Sequence, residues 1–317
     1  MPYFVVILLL MATFWSDKSQ ETPPKEETLF SVEGKKRIAI SFDDGSTRDM
    51  PGYSWEEWNG MILEHLHKHE VRAILFATGG PLNSTKGQFL LESWKEAGQW
   101  LGNHTYTHPS FNDSTVSLED YKKDFLKNKQ FLSKQSNFVP FFRFPYLREG
   151  DTVEKRDGFR SFLKEQGFKN GHVTIDGEDW YIFSRLLGKL KSSPKMDIGG
   201  YRELYVQHHL DRARFNDSLA TVLTGRKIDH VLLLHHNLAA ALFLGDLLDN
   251  LEKEGWLIID AVEAYQDPIY ANNPQILPAG GNFLRALSKE AGIYGGLFRF
   301  EAENEGYLQK KMDALGL

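Results

Sequence analysis

The sequence predicts an α/β fold built on a parallel sheet or barrel, and three observations carry that expectation. Short apolar runs alternate with segments of helical period along most of the chain, the pattern of repeated strand-then-helix units. The side chains able to do acid–base or metal chemistry, Asp43, His104, Arg143, Asp176 and His235, each fall at or just after the end of a predicted strand, the place where α/β barrels carry their sites. The chain has 317 residues, 41% of them hydrophobic and 25% charged, enough for one large globular domain or two small ones.

The elements follow in order. Residues 37–42 form an apolar run that ends in acids, a first strand. Residues 54–70 open on a capping serine and place Trp58, Met61, Ile62 and Leu66 at helical spacing. A strand over 71–77 leads to the turn Gly79-Gly80-Pro81, and 88–97 reads as a helix stopped by Gly98. A short strand over 100–103 runs into His104. Leu118, Tyr121, Phe125 and Leu132 give a helix over 118–132, followed by a strand over 141–144 and a helix over 158–166 that Gly167 ends. Strands are predicted over 172–175 and 230–234, then a helix over 238–254 with Gly255 as its stop, and a last strand over 257–259. Residues 181–229 interrupt this alternation. Their stretch 202–215 is predicted helical and is expected to pack over one side of the barrel, where it could shape a substrate cleft. The tail after Asn272 shows helical spacing over 283–289 and 307–315. The domain layout is then a main domain over 34–270 with the insertion 181–229, and a helical extension over 271–317.

Composition excludes some functions. A formal charge of -6 and an isoelectric point near 6.0 argue against nucleic acid as a partner, which wants a basic face. Cysteine is absent, so thiolate nucleophiles, cysteine-zinc sites and disulfides are all ruled out. The first 16 residues have an apolar core from Tyr3 to Trp15. A spanning helix needs about 20 such residues, so this run suits a secretory signal and an exported protein, or an uncleaved anchor that would be the chain's one tie to a membrane. A buried first strand is the alternative: no Lys or Arg precedes the run and no small-x-small cleavage site follows it. Residues 17–33 are polar and proline-bearing and read as a linker.

Asp43 and Asp44 stand side by side at the end of the first strand, and His104-Thr-Tyr-Thr-His108 follows a later one. Together they offer one carboxylate and two imidazoles to a divalent metal, with one carboxylate to spare. Three protein ligands leave a position open for water, and an unligated base beside it can take the water's proton, the make-up of a catalytic metal site. The paired acids could instead cap a helix or hold a calcium-like ion. Histidines four apart also share one face of a helix, but Pro109 turns His108 away from the helical region. The run Phe141, Phe142, Phe144 suggests that Arg143 is partly buried rather than a surface ion-pair partner. His235 ends the apolar run 231–234 and could be a core histidine, with His236 beside it. His65, His67 and His69 read as mostly solvated on their helix, and His208 and His209 as lining the cleft or lying at the surface.

Five segments in order, Ser41-Phe-Asp-Asp-Gly45, His104-Thr-Tyr-Thr-His108, Arg143-Phe-Pro-Tyr146, Asp176-Gly-Glu-Asp-Trp180 and Val231-Leu-Leu-Leu-His235, resemble the polysaccharide deacetylase family, also called the NodB-homology or carbohydrate esterase family 4 group. The resemblance spans roughly residues 36–270. It implies a distorted (β/α) barrel and a hydrolase that removes acetyl groups from a glycan. It implies Asp44, His104 and His108 as metal ligands, with zinc the first expectation and other divalent ions open. Asp43 corresponds to the catalytic base and Arg143 to the residue that holds it. Pro145 fixes the backbone beside the substrate, and the Tyr146 N–H corresponds to the oxyanion donor. His235 corresponds to the general acid, Asp179 to the carboxylate that raises its pKa, and Trp180 to an apolar wall. Asp176 could bond Arg143 or cap a turn. Ser41 stands where threonine is usual, Ser46 where proline is common, and His236 where an acid is frequent. The implied substrate is an N-acetylglucosamine polymer, with no protein partner. O-acetyl xylan, a metal-independent amide hydrolysis on the same fold, and a non-catalytic glycan-binding protein are the alternatives.

Overall fold

A computed structural model describes residues 34–293 and 305–317; the expected signal segment and linker lie outside the described residues. The elements are β1 (Lys36–Asp44), α1 (Trp55–Lys68), β2 (Ile74–Ala77), α2 (Gly79–Leu82), α3 (Thr85–Glu96), β3 (Trp100–Asn103) and α4 (Leu118–Leu132). Then come β4 (Phe138–Phe142), a 3-10 turn (Pro145–Leu147), β5 (Arg148–Gly150), α5 (Val153–Glu165), β6 (Lys169–Asn170), β7 (Ile175–Asp176), α6 (Asp179–Ser192) and α7 (Gly199–Thr224). The chain continues through β8 (Asp229–His235), α8 (Leu238–Lys253), β9 (Trp256–Ile258), α9 (Ala261–Ala264), β10 (Ala279–Gly280), α10 (Phe283–Glu290) and α11 (Glu305–Ala314). Among the described residues no helix is long and apolar enough to cross a membrane.

The main sheet runs β6-β4-β3-β2-β1-β8-β7, with β9 added on β1, and every pairing in it is parallel. It curls into a barrel that no strand pairing closes between β6 and β7, in agreement with the expected distorted (β/α) barrel. Side chains alternate across each strand. On β1, Ile38, Ile40 and Phe42 face the helices, while Ala39 faces a small inner core with Ile74, Phe76, Phe141 and Val231. Both faces are covered, which explains why β1 and β8 read as continuous apolar runs.

The element types match the sequence reading, and the differences at their ends have local causes. β4 includes Pro140, which was read as lying before the strand. Proline has no N–H for the ladder, and the register with β3 shifts there, Leu101 pairing Phe138 and Asn103 pairing Phe142. α5 begins five residues earlier than expected because Thr152 caps it, accepting from Lys155 N at 3.2 Å. Of the strand expected over 172–175, β7 keeps only Ile175 and adds Asp176, since the Val173 carbonyl is taken by Phe283 N. The turn Gly79-Gly80-Pro81 is one short helix, α2. The insertion is two helices rather than one, and α7 packs on α6, α8, α10 and β7. It does not line the cleft, and His208 and His209 are buried in that packing instead of facing a cleft or solvent. Of the helix 54–70 histidines expected to be solvated, His67 is exposed, but His65 bonds the Ala241 carbonyl at 3.0 Å and the His69 side chain is only 5% exposed.

A third core is almost wholly aromatic. Phe159 of α5 sits among Phe111, Tyr121, Phe125, Phe142 and Phe144, its ring 4.8–5.9 Å from each. This cluster backs the segment that carries Arg143 to Tyr146. Phe159→Ala opens a cavity in the middle of it and should cost about 3–5 kcal/mol, read as a lower urea midpoint with an unchanged slope.

Candidate active site

Asp43 and His235 are register partners on the adjacent strands β1 and β8, so their side chains leave the sheet at one level. Strand alternation alone would send Asp44 to the opposite face. It does not, because Asp44 leaves the strand with φ 80 and Gly45 follows at φ 89. A Cβ on Gly45 would also lie 2.9 Å from Leu82 Cδ1, so glycine is needed for space as well as conformation. The turn swings the second carboxylate into the same cleft as the first.

His104 and His108 lie in a loop after β3, not on a helix, with Thr105 at φ 65 and His108 at φ 59. The loop is held from below. Asp124 of α4 accepts from Tyr106 N, Thr107 N and Thr107 Oγ1 at 2.7–3.0 Å. Asn103 Oδ1 accepts from Thr105 N and from Asn128 Nδ2. His104 Nδ1 donates to the Arg143 carbonyl at 2.8 Å, which turns Nε2 toward the acids. Nε2 of His104 is 3.7 Å, and Nε2 of His108 3.3 Å, from Asp44 Oδ1. Burial, with His108 beside it, pulls His104 down to about 3, so the ring is neutral. The Nε2 lone pair of the neutral His104 ring and Nε2 of His108 both face the Asp44 carboxylate, a donor set that suits a divalent cation. Asp44, His104 and His108 thus fit the ligand set expected from the sequence.

Arg143 is fully buried and spends four of its N–H groups on fixed acceptors. Nη1 donates to Ser41 Oγ at 2.9 Å and Asp43 Oδ1 at 2.8 Å, Nη2 to Tyr265 OH at 2.9 Å, and Nε to Gly171 O at 2.8 Å. Its guanidinium also lies over Phe76, 4.1 Å from the ring centre. Burial raises the Asp43 pKa, against the pull of Arg143 and His235. Asp176 does not bond Arg143; it closes its own turn by accepting from Glu178 N.

His235 faces the cleft, and Asp179 stands behind it. Asp179 Oδ1 is 2.6 Å from His235 Nδ1, and Oδ2 accepts the His235 backbone N–H at 2.9 Å. Burial opposes charge on this ring, but Asp179, with Asp44 and Asp43 nearby, outweighs it and pushes His235 up to about 10. His236 is a different case. It is buried beneath the cleft, accepts from Ser46 N through Nδ1 at 3.1 Å, meets Asn59 Oδ1 through Nε2 at 3.0 Å, and is pulled down to about 3 by burial.

These groups surround a cleft of about 900 Å³ lined by Asp43, Asp44, His104, His108, His235 and two exposed aromatics, Tyr146 and Trp180. Tyr146 has φ 56, and its N–H takes no partner among the described residues. Pro145 is buried under this turn and is not on the cleft wall, so its expected contact with substrate is replaced by a hold on the Tyr146 backbone. The residues that sequence reasoning missed are those without chemistry of their own: Tyr265, Asn103, Asp124 and Asn128. Their signal, a polar side chain inside a helical or strand pattern, was present at Asp124 and Asn128 of α4.

Residues 31–162 match the family model described as polysaccharide deacetylase. A peptidoglycan-N-acetylglucosamine deacetylase of Bacillus cereus is 30% identical over 147 residues, 46% of this chain and 47% of that protein, so the chain spans about half the length of this curated relative. Among solved structures, a peptidoglycan N-acetylglucosamine deacetylase in complex with 4-naphthalen-1-yl-N-oxidanyl-benzamide superposes with TM-score 0.52 at 20% identity, over 75% of this chain and 92% of that one. A carbohydrate esterase family 4 pseudoenzyme from Bacillus anthracis gives TM-score 0.51 at 18% identity, over 73% of this chain and 65% of that one. These structures share the fold. The family match over 31–162 takes in Asp43, Asp44, His104, His108, Arg143 and Tyr146, so this stretch of the chain is similar to the polysaccharide deacetylase family.

Proposed function

We propose that this protein is a metal-dependent hydrolase that removes acetyl groups from a glycan, with the N-acetylglucosamine units of peptidoglycan as the first substrate and chitin-like or poly-N-acetylglucosamine chains next. One observation carries the reading: a free carboxylate held by a buried arginine, an imidazole held by a carboxylate, and a three-residue metal cluster all face one cleft. The name of the Bacillus cereus relative supports the substrate. The pseudoenzyme of the same fold is a reminder that fold alone does not give activity; here every acid, base and ligand expected from the family is present.

A divalent cation, zinc by the nature of the donors, held by Asp44, His104 and His108 would polarise the acyl carbonyl and make water more acidic. Asp43 accepts a proton from the water whose oxygen attacks the acetyl carbonyl carbon. Its raised pKa makes it a stronger proton acceptor than an ordinary aspartate. Arg143 fixes the direction of the carboxylate. The Tyr146 N–H donates to the oxyanion that forms. His235, charged at neutral pH, gives its proton to the sugar nitrogen as the carbon–nitrogen bond breaks, and acetate and the free amine leave. Asp179 keeps that ring charged and oriented. Tyr146 and Trp180 offer faces on which a sugar ring can lie.

Acetate release from N-acetylglucosamine oligomers and from peptidoglycan should be abolished by a chelator and restored by zinc. Asp43→Asn keeps the acceptor for Arg143 but not the base, and should lower kcat by about 10²–10⁴-fold with zinc binding intact by calorimetry. Acetate release that persists after full metal removal would defeat the proposal. Asp179→Asn removes the negative charge that raises His235, so the His235 titration seen by NMR should move down by about 1–3 pH units, and the alkaline limb of the kcat/KM profile should move down with it.

A further inference from the structure

α1 and α8 run from the cleft to the opposite end of the barrel, where a second set of metal-ligating side chains meets. His69 is the C-cap of α1. Asp249 and Glu252 stand three residues apart on α8, close enough to share one face. One ligand atom from each of the three lies within 4.8 Å of the others. His69 Nε2 is 3.5 Å from Asp249 Oδ1, and Nδ1 is 3.4 Å from Glu252 Oε1.

The His69 side chain is 5% exposed, and its Nε2 is buried without a hydrogen-bond partner. With Nδ1 turned to Glu252, Nε2 faces a carboxylate oxygen of Asp249 beyond hydrogen-bond distance. A proton on Nε2 would draw the pair to hydrogen-bond distance, about 2.7–3.2 Å. The observed 3.5 Å is instead close to the separation of two atoms that share one ion at about 2.1 Å each. The catalytic cluster has the same spacing, 3.3 and 3.7 Å from imidazole to carboxylate. The carboxylates of Asp249 and Glu252 are about half exposed, so water can fill the remaining coordination positions.

We infer that His69, Asp249 and Glu252 form a second divalent-cation site, of zinc-compatible donors, that ties the end of α1 to α8 far from the cleft. This site does not depend on what the cleft does. Conserved barrel chemistry at the strand carboxyl ends serves catalysis and the opposite face serves stability, so the readout is metal count and melting temperature. Metal-free full-length protein is titrated with zinc chloride in a calorimeter. The expected result is two ions per chain, one in His69→Gln, one in the double variant Asp249→Asn with Glu252→Gln, and one in His104→Ala. Both altered acids are partly exposed, so the double variant tests the site without disturbing the core. Zinc at about 100 times its Kd should raise the melting temperature of His104→Ala by a few degrees, and that rise should vanish when Asp249→Asn and Glu252→Gln are added. His69→Gln should release acetate at the wild-type rate. An ion count in His69→Gln and in the acid double variant equal to that of the wild type would overturn the second site and leave an imidazolium held between two carboxylates, whether or not the cleft proves to be a deacetylase.

Discussion

The ion pair of Arg143 with Asp43 is the constraint on which the site rests, and its reach extends to the barrel itself. A guanidinium with no exposed surface is costly to bury and stays only where its donors are matched. Arg143 follows β4 and reaches Ser41 and Asp43 on β1, Gly171 between β6 and β7, and Tyr265 after α9. No strand pairing joins β6 to β7, so this cross-barrel strut does what a ladder would do elsewhere. Gly171 completes it. Its N–H donates to Phe142 O at 2.6 Å, and a Cβ there would lie 2.4 Å from Phe76, so only glycine lets that backbone close on the arginine. The residue that orients the proposed base is therefore also the one that ties the open seam.

Much of this fold was legible because its central strands are buried on both faces and its helices carry strong caps. Residues 38–42 are broken only by Ser41 and 231–234 not at all, and Ser54 with Glu57 makes a full capping box. What was less legible lies where tertiary contacts override local pattern. The start of α5 is hidden by the charged run 154–157, although Thr152 was there to cap it. β7 loses residues to hydrogen bonds from the tail, which no local window can see. α7 has no clean polar face because it packs against several elements, so its period was detectable over only part of its 26 residues.

The chemistry-bearing residues of the site were legible because their motifs sit at strand ends, where topology alone brings them together. The supporting residues were not. Two apparent departures from the family pattern, Ser46 and His236, are in fact partners: the Ser46 N–H donates to His236 Nδ1. Proline at 46 has no N–H to give, so a histidine at 236 goes with a non-proline at 46. The histidine is further enclosed by Trp58, 4.5 Å between ring centres, and by Asn59, whose Oδ1 also accepts from Trp94. Read singly, each substitution looked like a mild deviation; only the fold shows that they form one hydrogen bond.

Three of the four imidazoles at or beneath the cleft meet three fates, and the group paired with Nδ1 of each ring decides which. His104 and His236 are both buried and neutral. His104 gives its Nδ1 proton to a backbone carbonyl, which leaves Nε2 as a lone pair for a cation. His236 uses Nδ1 to accept an amide proton, so Nε2 is spent on Asn59 and nothing is left for chemistry. His235 has a carboxylate where His104 has a carbonyl, and Asp179, helped by Asp44 and Asp43, pushes it against burial up to about 10, while burial with His108 beside it pulls His104 down to about 3. The proposed ligand role needs a neutral ring and the proposed acid role a charged one. The fold meets both needs within one cavity by placing Arg143 O behind one ring and Asp179 behind the other, and the same logic separates the neighbouring acids. Asp43 is sealed against Arg143 and made more basic by burial, while Asp44, turned out of the strand by its positive φ, stays open to share an ion with two histidines.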